Sequence, residues 1–341
     1  MKRNVAVKLP EPQAQSPFLP GTKIQFAWDS TSLGYLKTCP RLYQYTMIDG
    51  WGFKDESVHL RFGSEYHTAI EQYDKAKAAG ATHKAAMRDA IKDLLIRTQG
   101  WDSDTSTKAG KYKNRQTLLE LTIDYFDKFS DDSATTYIKE DGTAAVELSF
   151  RFELPWGPKA SEKYDQQYAG SPKENVHFEQ PYLLCGHLDR VVNFNDSLFV
   201  MDHKTTTTTP GEYFFDQFAP NNQMTLYSLA GKVVINSPIN GVIIDAAQIK
   251  LQQPNEFKRG MTYRTPGMLD EWVHDLEYWF QQAEHYATVG YWPMNDTACD
   301  KFGGCRFREV CSKDPNVRNV YLKSTFSHLN EDERWNPLKP R

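Results

Sequence analysis

Residues 182–204 read YLLCGHLDRVVNFNDSLFVMDHK, and this stretch decides the fold. Two apolar runs, YLLCGHLDRVVNF and SLFVMDHK, flank Asn195-Asp196, a pair suited to the left-handed backbone of a tight hairpin turn. The first run is apolar on both faces, which places it in the middle of a sheet. Asp189 lies near the end of one strand and Asp202 near the end of the next, a separation that lets a hairpin bring the two carboxylates together. Asp202 and Lys204 are two apart, and residues i and i+2 of a strand share a face.

Close carboxylates repel and lose hydration. A divalent cation relieves both costs and supplies a Lewis acid for a phosphoryl oxygen, while a lysine beside it can orient or deprotonate an attacking water. By itself, D-x-K also fits a strand that simply ends in solvated charge, so the surrounding pattern has to carry the interpretation.

Downstream, NNQMTLYSLAGKVV (221–234) has helical spacing, INGVIIDAAQIKLQ (239–252) is another apolar strand, and GMLDEWVHDLEYWFQQAEHYATVG (267–290) is a long amphipathic helix. Upstream, Val146, Leu148, Phe150, Phe152 and Leu154 alternate with Glu147, Ser149, Arg151 and Glu153 as a half-buried strand does. Glu147, on its polar side, is a candidate further metal ligand. The stretch 61–80, RFGSEYHTAIEQYDKAKAAG, predicts a helix from near Gly63 or Ser64 to Gly80, with His67 on its first turns. Residues 82–98 and 115–130 repeat the helical pattern around the polar loop GWDSDTSTKAGKYKN (100–114), making a helical insertion over 80–140. Earlier still, Pro40 interrupts TSLGYLKTCPRLYQYTMI (31–48) and predicts a short broken helix. The expected class is α/β, a mixed central sheet flanked by helices. Residues 1–22, with Pro10, Pro12, Pro17 and Pro20, read as a flexible tail, residues 157–179 as a long loop, and residues 313–341 as a C-terminal tail.

The chain has 341 residues, 40% hydrophobic and 13% aromatic, enough to bury one large core or two modest ones. A formal charge of −4 argues against indiscriminate coating of nucleic acid, which needs a broad basic surface. No apolar run approaches the roughly 18 residues of a membrane span, and MKRNVAVKLPEPQAQSP lacks a secretory apolar core, so a cytoplasmic location is expected.

In such a reducing compartment clustered cysteines point to metal or redox chemistry. Cys299, Cys305 and Cys311 stand in DTACDKFGGCRFREVCSKD (296–314), and Cys39 lies far upstream in TCPRLY (38–43). Four thiolates suit a [4Fe–4S] cluster or a tetrahedral zinc. Cys185, inside the apolar strand, reads as a small core residue.

With these residues in place, a resemblance appears. Gly186-His187-Leu188-Asp189-Arg190-Val191 and Val200-Met201-Asp202-His203-Lys204-Thr205-Thr206 resemble the two core motifs of RecB-type nucleases of the PD-(D/E)XK superfamily. Gln223 and Tyr227 match that family's Q-x-x-x-Y helix, and Gly63-Ser64-Glu65-Tyr66-His67 its G-x-x-x-H motif. The resemblance covers roughly Ser30 to Cys311 and departs from the usual acidic pattern in placing His203 between Asp202 and Lys204.

It implies a restriction-endonuclease-like core forming one nuclease domain over 23–312, with residues 295–312 closing onto Cys39. It further implies Mg²⁺ or Mn²⁺ on His67, Asp189, Asp202 and the main-chain carbonyl of His203, with Lys204 acting on water and Gln223 and Tyr227 contacting DNA. The cysteine arrangement resembles the iron–sulfur nucleases of the AddB type and the CRISPR-associated RecB-like nucleases, although those usually begin the late cysteines with C-x-x-C. Zinc therefore stays open.

The expected activity is exonucleolytic hydrolysis at DNA ends in recombination or repair, alongside recombination or helicase partners. Lys108, Lys111, Lys113 and Arg115 are candidates to grip DNA phosphates, with Trp101 and Tyr112 to stack bases. The alternatives are a nuclease trimming CRISPR prespacers and a non-catalytic iron–sulfur DNA-binding or assembly module. The chain contains no G-x-x-x-x-G-K-[ST] loop, so an ATP motor would have to be a separate protein.

Overall fold

The computed structural model describes residues 16–54, 57–158, 180–300 and 304–339. The strands in chain order are β1 (Ala27–Trp28), β2 (Trp51–Phe53), β3 (Thr135–Thr136), β4 (Val146–Glu153), β5 (Leu183–Phe194), β6 (Ser197–Thr206), β7 (Gly241–Gln248), β8 (Glu256–Thr262) and β9 (Phe326–His328). The helices are α1 (Ser30–Thr38), α2 (Pro40–Tyr43), α3 (Val58–Ala78), α4 (His83–Arg97), α5 (Lys108–Tyr112), α6 (Arg115–Lys128), α7 (Glu212–Asp216), α8 (Asn222–Ile235), α9 (Pro266–Val289), α10 (Arg308–Cys311) and α11 (Arg318–Thr325).

The chain divides into two compact units, where the sequence alone suggests a single domain. One comprises Met1–Asp55, Ser149–Gly186 and Pro266–Arg341, and the other Glu56–Leu148 and His187–Thr265. Three excursions of the chain build the first unit, and no local pattern announces such a division.

In the second unit β5 and β6 form the expected hairpin. Asn195 and Asp196 adopt φ of 50° and 57°, the turn geometry that these residue types tolerate best. The sheet is mixed: β5 pairs antiparallel with β6, β6 parallel with β7, and β7 antiparallel with β8. The β6–β7 pair is parallel because α8 intervenes as a crossover. Every residue of β7 is buried. Strand β8 was not anticipated, since EFKRGMT is rich in charge, and an edge strand tolerates what a central one does not.

Helices α3 and α6 bury Phe62, Tyr66, Ile70, Tyr73, Leu118, Leu121, Tyr125 and Phe126 in one cluster that also takes in Ala247 and Ile249 of the β7 strand and its end. Helix α8 reaches the sheet at Gly231, where an added Cβ would stand 2.8 Å from Val200 Cγ2, so glycine is needed for the close approach. Helix α3 starts at Val58, several residues before the expected Gly63. The upstream turn, Val58 to Phe62, buries Phe62 and leaves His59 and Leu60 exposed, so it lacks a clear apolar stripe, and Gly63 sits inside the helix on a face with nothing within 4 Å of an added Cβ. Residues 80–140 contain α4, α5 within the polar loop, α6 and the short strand β3.

In the first unit β1 lies parallel to the start of β5, with Ala27 opposite Leu183 and Trp28 opposite Leu184. Trp28 stacks between Tyr43 at 5.6 Å and Phe280 of α9 at 4.8 Å. Pro40 breaks α1 from α2 as predicted, since it has no N–H to continue the first helix.

Both tails need correction. Leu19 is 4% exposed and Phe18 bridges to Gln25, so structure begins before residue 23, whereas residues 1–15 lie outside the described residues. Beyond residue 313 the chain forms α11 and β9, and β9 pairs antiparallel with β2, Trp51 opposite His328. Leu322 and Phe326 join Tyr45, Phe307 and Val310 in a small core. Pairing across so many residues leaves no local signature in a stretch this polar. Most of the expected loop, residues 159–179, lies outside the described residues.

Candidate metal and catalytic site

The ladder between β5 and β6 ends at Arg190↔Met201, so Asp189 and Asp202 take the first positions past the last pair, where the strands part. The main-chain N–H of His203, no longer committed to the ladder, donates to Asp189 Oδ2 at 3.0 Å. His67 reaches the same carboxylate from the third turn of α3, its Nδ1 3.2 Å from Asp189 Oδ2. Asp189 is 7% exposed and Asp202 1%.

Burial disfavours charge on both carboxylates, and their neighbours push them apart. For Asp189 burial is outweighed by His67, His203 and Lys204, which hold its carboxyl far below the usual range. Burial and the neighbouring Asp189 charge raise Asp202 despite Lys204. Burial also opposes protonation of His67, yet the Asp189 carboxylate prevails and lifts the imidazole above its ordinary value.

Lys204 is fixed from both sides. Its Nζ lies 2.9 Å and 2.8 Å from the two oxygens of Asp202 and donates to Gln223 Oε1 at 3.1 Å. Gln223 in turn donates through Nε2 to the Tyr227 hydroxyl at 3.1 Å, which sets the orientation of its amide. Asn221 caps α8 by accepting from the N–H groups of Gln223 and Met224, and so anchors the turn that carries Gln223. His67, Asp189, Asp202, Lys204, Gln223 and Tyr227 thus meet at one place in one unit.

Glu147 also arrives. Ligand atoms of His67, Glu147 and Asp189 all lie within 4.8 Å of one another, a mixed imidazole–carboxylate set of the chemistry that a small divalent cation takes. The residues present therefore fit a metal.

Behind β6 is a second ionic system, which sequence reasoning missed. The register aligns His203 with Asp245 and Asp245 with Arg259 across β6, β7 and β8. His203 Nδ1 is 3.4 Å from Asp245 Oδ2, which also accepts from the Tyr125 hydroxyl at 2.7 Å and from Arg259 Nη2 at 3.3 Å. Arg259 makes a bidentate pair with Asp132 at 2.7 Å on each arm. Burial would raise the Asp245 pKa, but His203, Arg259 and Tyr125 keep it well below the usual carboxylate range. The available signal was a lone aspartate within the apolar run GVIIDAAQ.

The basic residues of the insertion do not form one grip. Lys108 and Lys111 are exposed. Lys113 is 8% exposed, with Nζ 3.4 Å from Thr205 Oγ1 and 5.5 Å from the Phe62 ring centre, and burial lowers its pKa. Arg115 ties helices together by donating to Thr98 Oγ1 at 3.2 Å and to the Leu95 carbonyl at 3.4 Å.

The four cysteines do converge. Cys39, Cys299, Cys305 and Cys311 line one cavity of the first unit. The Asn295 N–H lies 3.3 Å from Cys39 Sγ, and Arg41 hydrogen-bonds Cys311, partly offsetting the burial that pushes that thiol up. Thiol donors in this number fit a thiolate-bound metal or cluster. Cys185 is 1% exposed, and burial pushes its thiol up to about 12.

A mixed sheet flanked by helices, with two carboxylates and a lysine where its central strands part, defines a nuclease fold of the restriction-endonuclease kind. Residues 30–312 match the model of the PD-(D/E)XK nuclease superfamily, and the chain belongs to that superfamily. A solved Eubacterium rectale structure described as "Putative exonuclease" is 10% identical, with 86% of this chain and 92% of that chain covered at a TM-score of 0.46. No curated protein matches the chain. Among the described residues no helix is long and apolar enough to cross a membrane.

Proposed function

We propose that this protein is a metal-dependent deoxyribonuclease that hydrolyses phosphodiester bonds at DNA ends. The observation that carries the proposal is the convergence of His67, Asp189, Asp202 and Lys204 in one buried-to-exposed site. His67, Asp189, Asp202 and the His203 carbonyl hold Mg²⁺ or Mn²⁺, which when bound polarises a phosphoryl oxygen and offsets the charge developing there. Asp189 and Asp202 supply negative charge that the fold has already desolvated. Lys204, held between Asp202 and Gln223, directs its ammonium toward the attacking water and the phosphate. Gln223 and Tyr227 hold that ammonium in place and contact DNA beside the scissile bond. Exposed Lys108 and Lys111 provide phosphate contacts away from the chemistry.

Cys39, Cys299, Cys305 and Cys311 are assigned a [4Fe–4S] cluster with a structural role, supported by the four thiols lining one cavity. The reaction transfers no electron, so the cluster has no part in the chemical step. The preference for DNA ends and a setting in recombination or repair come from the resemblance of the motifs.

The test uses protein purified without oxygen and end-labelled linear and closed circular DNA, single- and double-stranded, with Mg²⁺, Mn²⁺ or chelator. Loss of label from linear DNA only with metal, survival of circles, and inactivity of Lys204→Ala are the expected results. Equal behaviour of wild type and Lys204→Ala on every substrate would replace the enzyme with a binding or assembly module.

A further inference from the structure

We infer that Glu147 is a direct ligand of the divalent cation, joining His67 and Asp189 as its principal side-chain ligands, while Asp202, already paired with Lys204, is the weaker ligand of the set. The inference rests on the metal-dependent nuclease reading above and changes which side chains define the seat.

Three observations carry it. First, ligand atoms of His67, Glu147 and Asp189 lie within 4.8 Å of one another, and the His67 Nδ1–Asp189 Oδ2 separation is 3.2 Å. Cations of this size hold oxygen at about 2.0–2.1 Å, which puts neighbouring ligand atoms about 3 Å apart and opposite ones about 4 Å apart. The three groups thus need to close by only a short distance. Second, both oxygens of Asp202 are within 2.9 Å of Lys204 Nζ, so that carboxylate already has a cation. The two seats therefore differ in availability.

Third, Glu147 has φ of 51°, a backbone region that costs a residue with a Cβ and that glycine enters freely. Alternation along β4 would send Val146 inward and Glu147 to the polar side. That alternation holds, with Val146 buried and Glu147 half-buried, and just before it the chain turns sharply, the Val146 N–H bonded to the Ala144 carbonyl at 2.9 Å and Ala145 buried as well. The reversed φ accompanies the delivery of the Glu147 carboxylate to His67 and Asp189. Strain of this kind persists where the surrounding structure requires it, and at functional sites it is tolerated for what it places.

The measurement is Mn²⁺ binding without DNA, followed as loss of the free-ion paramagnetic resonance signal, on the full-length protein purified without oxygen. Wild type is compared with Glu147→Gln, Asp189→Asn, Asp202→Asn and Glu147→Gly, and each is also melted in chelator. Glu147→Gln and Asp189→Asn are expected to weaken Mn²⁺ binding tenfold or more, and Asp202→Asn by less than either. Glu147→Gly separates ligation from folding. It relieves the positive φ, so its metal-free melting temperature is expected to match or exceed that of wild type while Mn²⁺ binding is lost.

Wild-type affinity in Glu147→Gln and Glu147→Gly, together with loss in Asp189→Asn, overturns the role of Glu147 and leaves the nuclease reading standing. A larger loss in Asp202→Asn than in Glu147→Gln also overturns it, because the cation would then sit on the D-x-K strand. No Mn²⁺ binding by wild type removes the metal-dependent reading itself, and the inference with it.

Discussion

Asp189 accepts a hydrogen bond from the main-chain N–H of His203 at 3.0 Å, one step beyond the last paired residues of the β5–β6 hairpin. The same carboxylate that is a candidate ligand therefore also closes the end of the ladder. Asp189→Asn keeps an acceptor oxygen, and Asp189→Ala does not. In chelator, the alanine variant is expected to be less stable than the asparagine variant by about 1–3 kcal/mol, the cost of leaving a buried donor unmet. Urea denaturation of the two measures the difference, and equal midpoints would show that the bond does not contribute.

Lys204 is 28% exposed and holds its ammonium against Asp202 and Gln223. Burial already raises the Asp202 carboxyl, so it can take up a proton when the ammonium is removed. Lys204→Ala should therefore leave the melting temperature in chelator near that of wild type while cleavage falls by about 10²–10⁴-fold, the range for a group acting on the reacting proton or charge. Single-turnover cleavage at saturating Mn²⁺ reads the loss. A drop of less than tenfold would place the chemistry elsewhere.

Gln223 connects Lys204 to Tyr227. Gln223→Ala frees the ammonium to swing, so cleavage should fall by about 10–100-fold, as outer contacts of such sites typically show. Mn²⁺ affinity should remain unchanged, since Gln223 reaches the carboxylates only through the lysine. A change in affinity equal to the change in rate would mean that Gln223 acts on the metal seat directly.

Asp245 sets a pH dependence of stability. Its folded pKa lies below the ordinary 3.8, because His203, Arg259 and Tyr125 favour the ionised form. A depressed carboxyl contributes stability that is fully present above the unfolded value and is lost as pH falls through it toward the folded value. Wild type should lose stability steeply below about pH 4, and Asp245→Asn less steeply, from a starting point lower by about 3 kcal/mol for a broken buried pair. Thermal melts across pH 3 to 7 compare the slopes, and parallel curves would count against this role for Asp245.

The cysteine cavity makes a prediction on the first unit. Protein purified without oxygen should show the broad visible absorption of an iron–sulfur cluster, and serine at Cys39, Cys299, Cys305 or Cys311 should remove it. Cys185→Ala should keep it and cost only about 1 kcal/mol as a core truncation. Because a metal that binds only the folded state adds its binding free energy to folding, the serine variants should also expose the C-terminal segment to protease. Stoichiometric zinc with no visible absorption would assign the site to zinc instead.

The hairpin, its Asn195-Asp196 turn, the Asp202–Lys204 pair, the helix with Gln223 and Tyr227, and the late cysteines were all legible from sequence, because each depends on spacing over a few residues. Period-two and period-3.6 patterns report which side of an element is buried, and turn chemistry reports where it ends. Family membership followed from the order of such local motifs.

What only the tertiary structure decided depends on distance along the chain. The β2–β9 pairing, the alignment of His203, Asp245 and Arg259, and the division into two units arise from registers between segments that carry no mark of each other. Glu147 shows the same limit within a strand. Alternation assigns its side chain to the polar side and makes it a candidate ligand, whereas its φ of 51° and the approach of its carboxylate to His67 and Asp189 within 4.8 Å belong to the tertiary structure, beside the bonds that Ala145 makes with Tyr137 and Val191. Local sequence sets the intrinsic preference of each residue, whereas packing selects a disfavoured backbone when the burial and hydrogen bonding around it outweigh its cost.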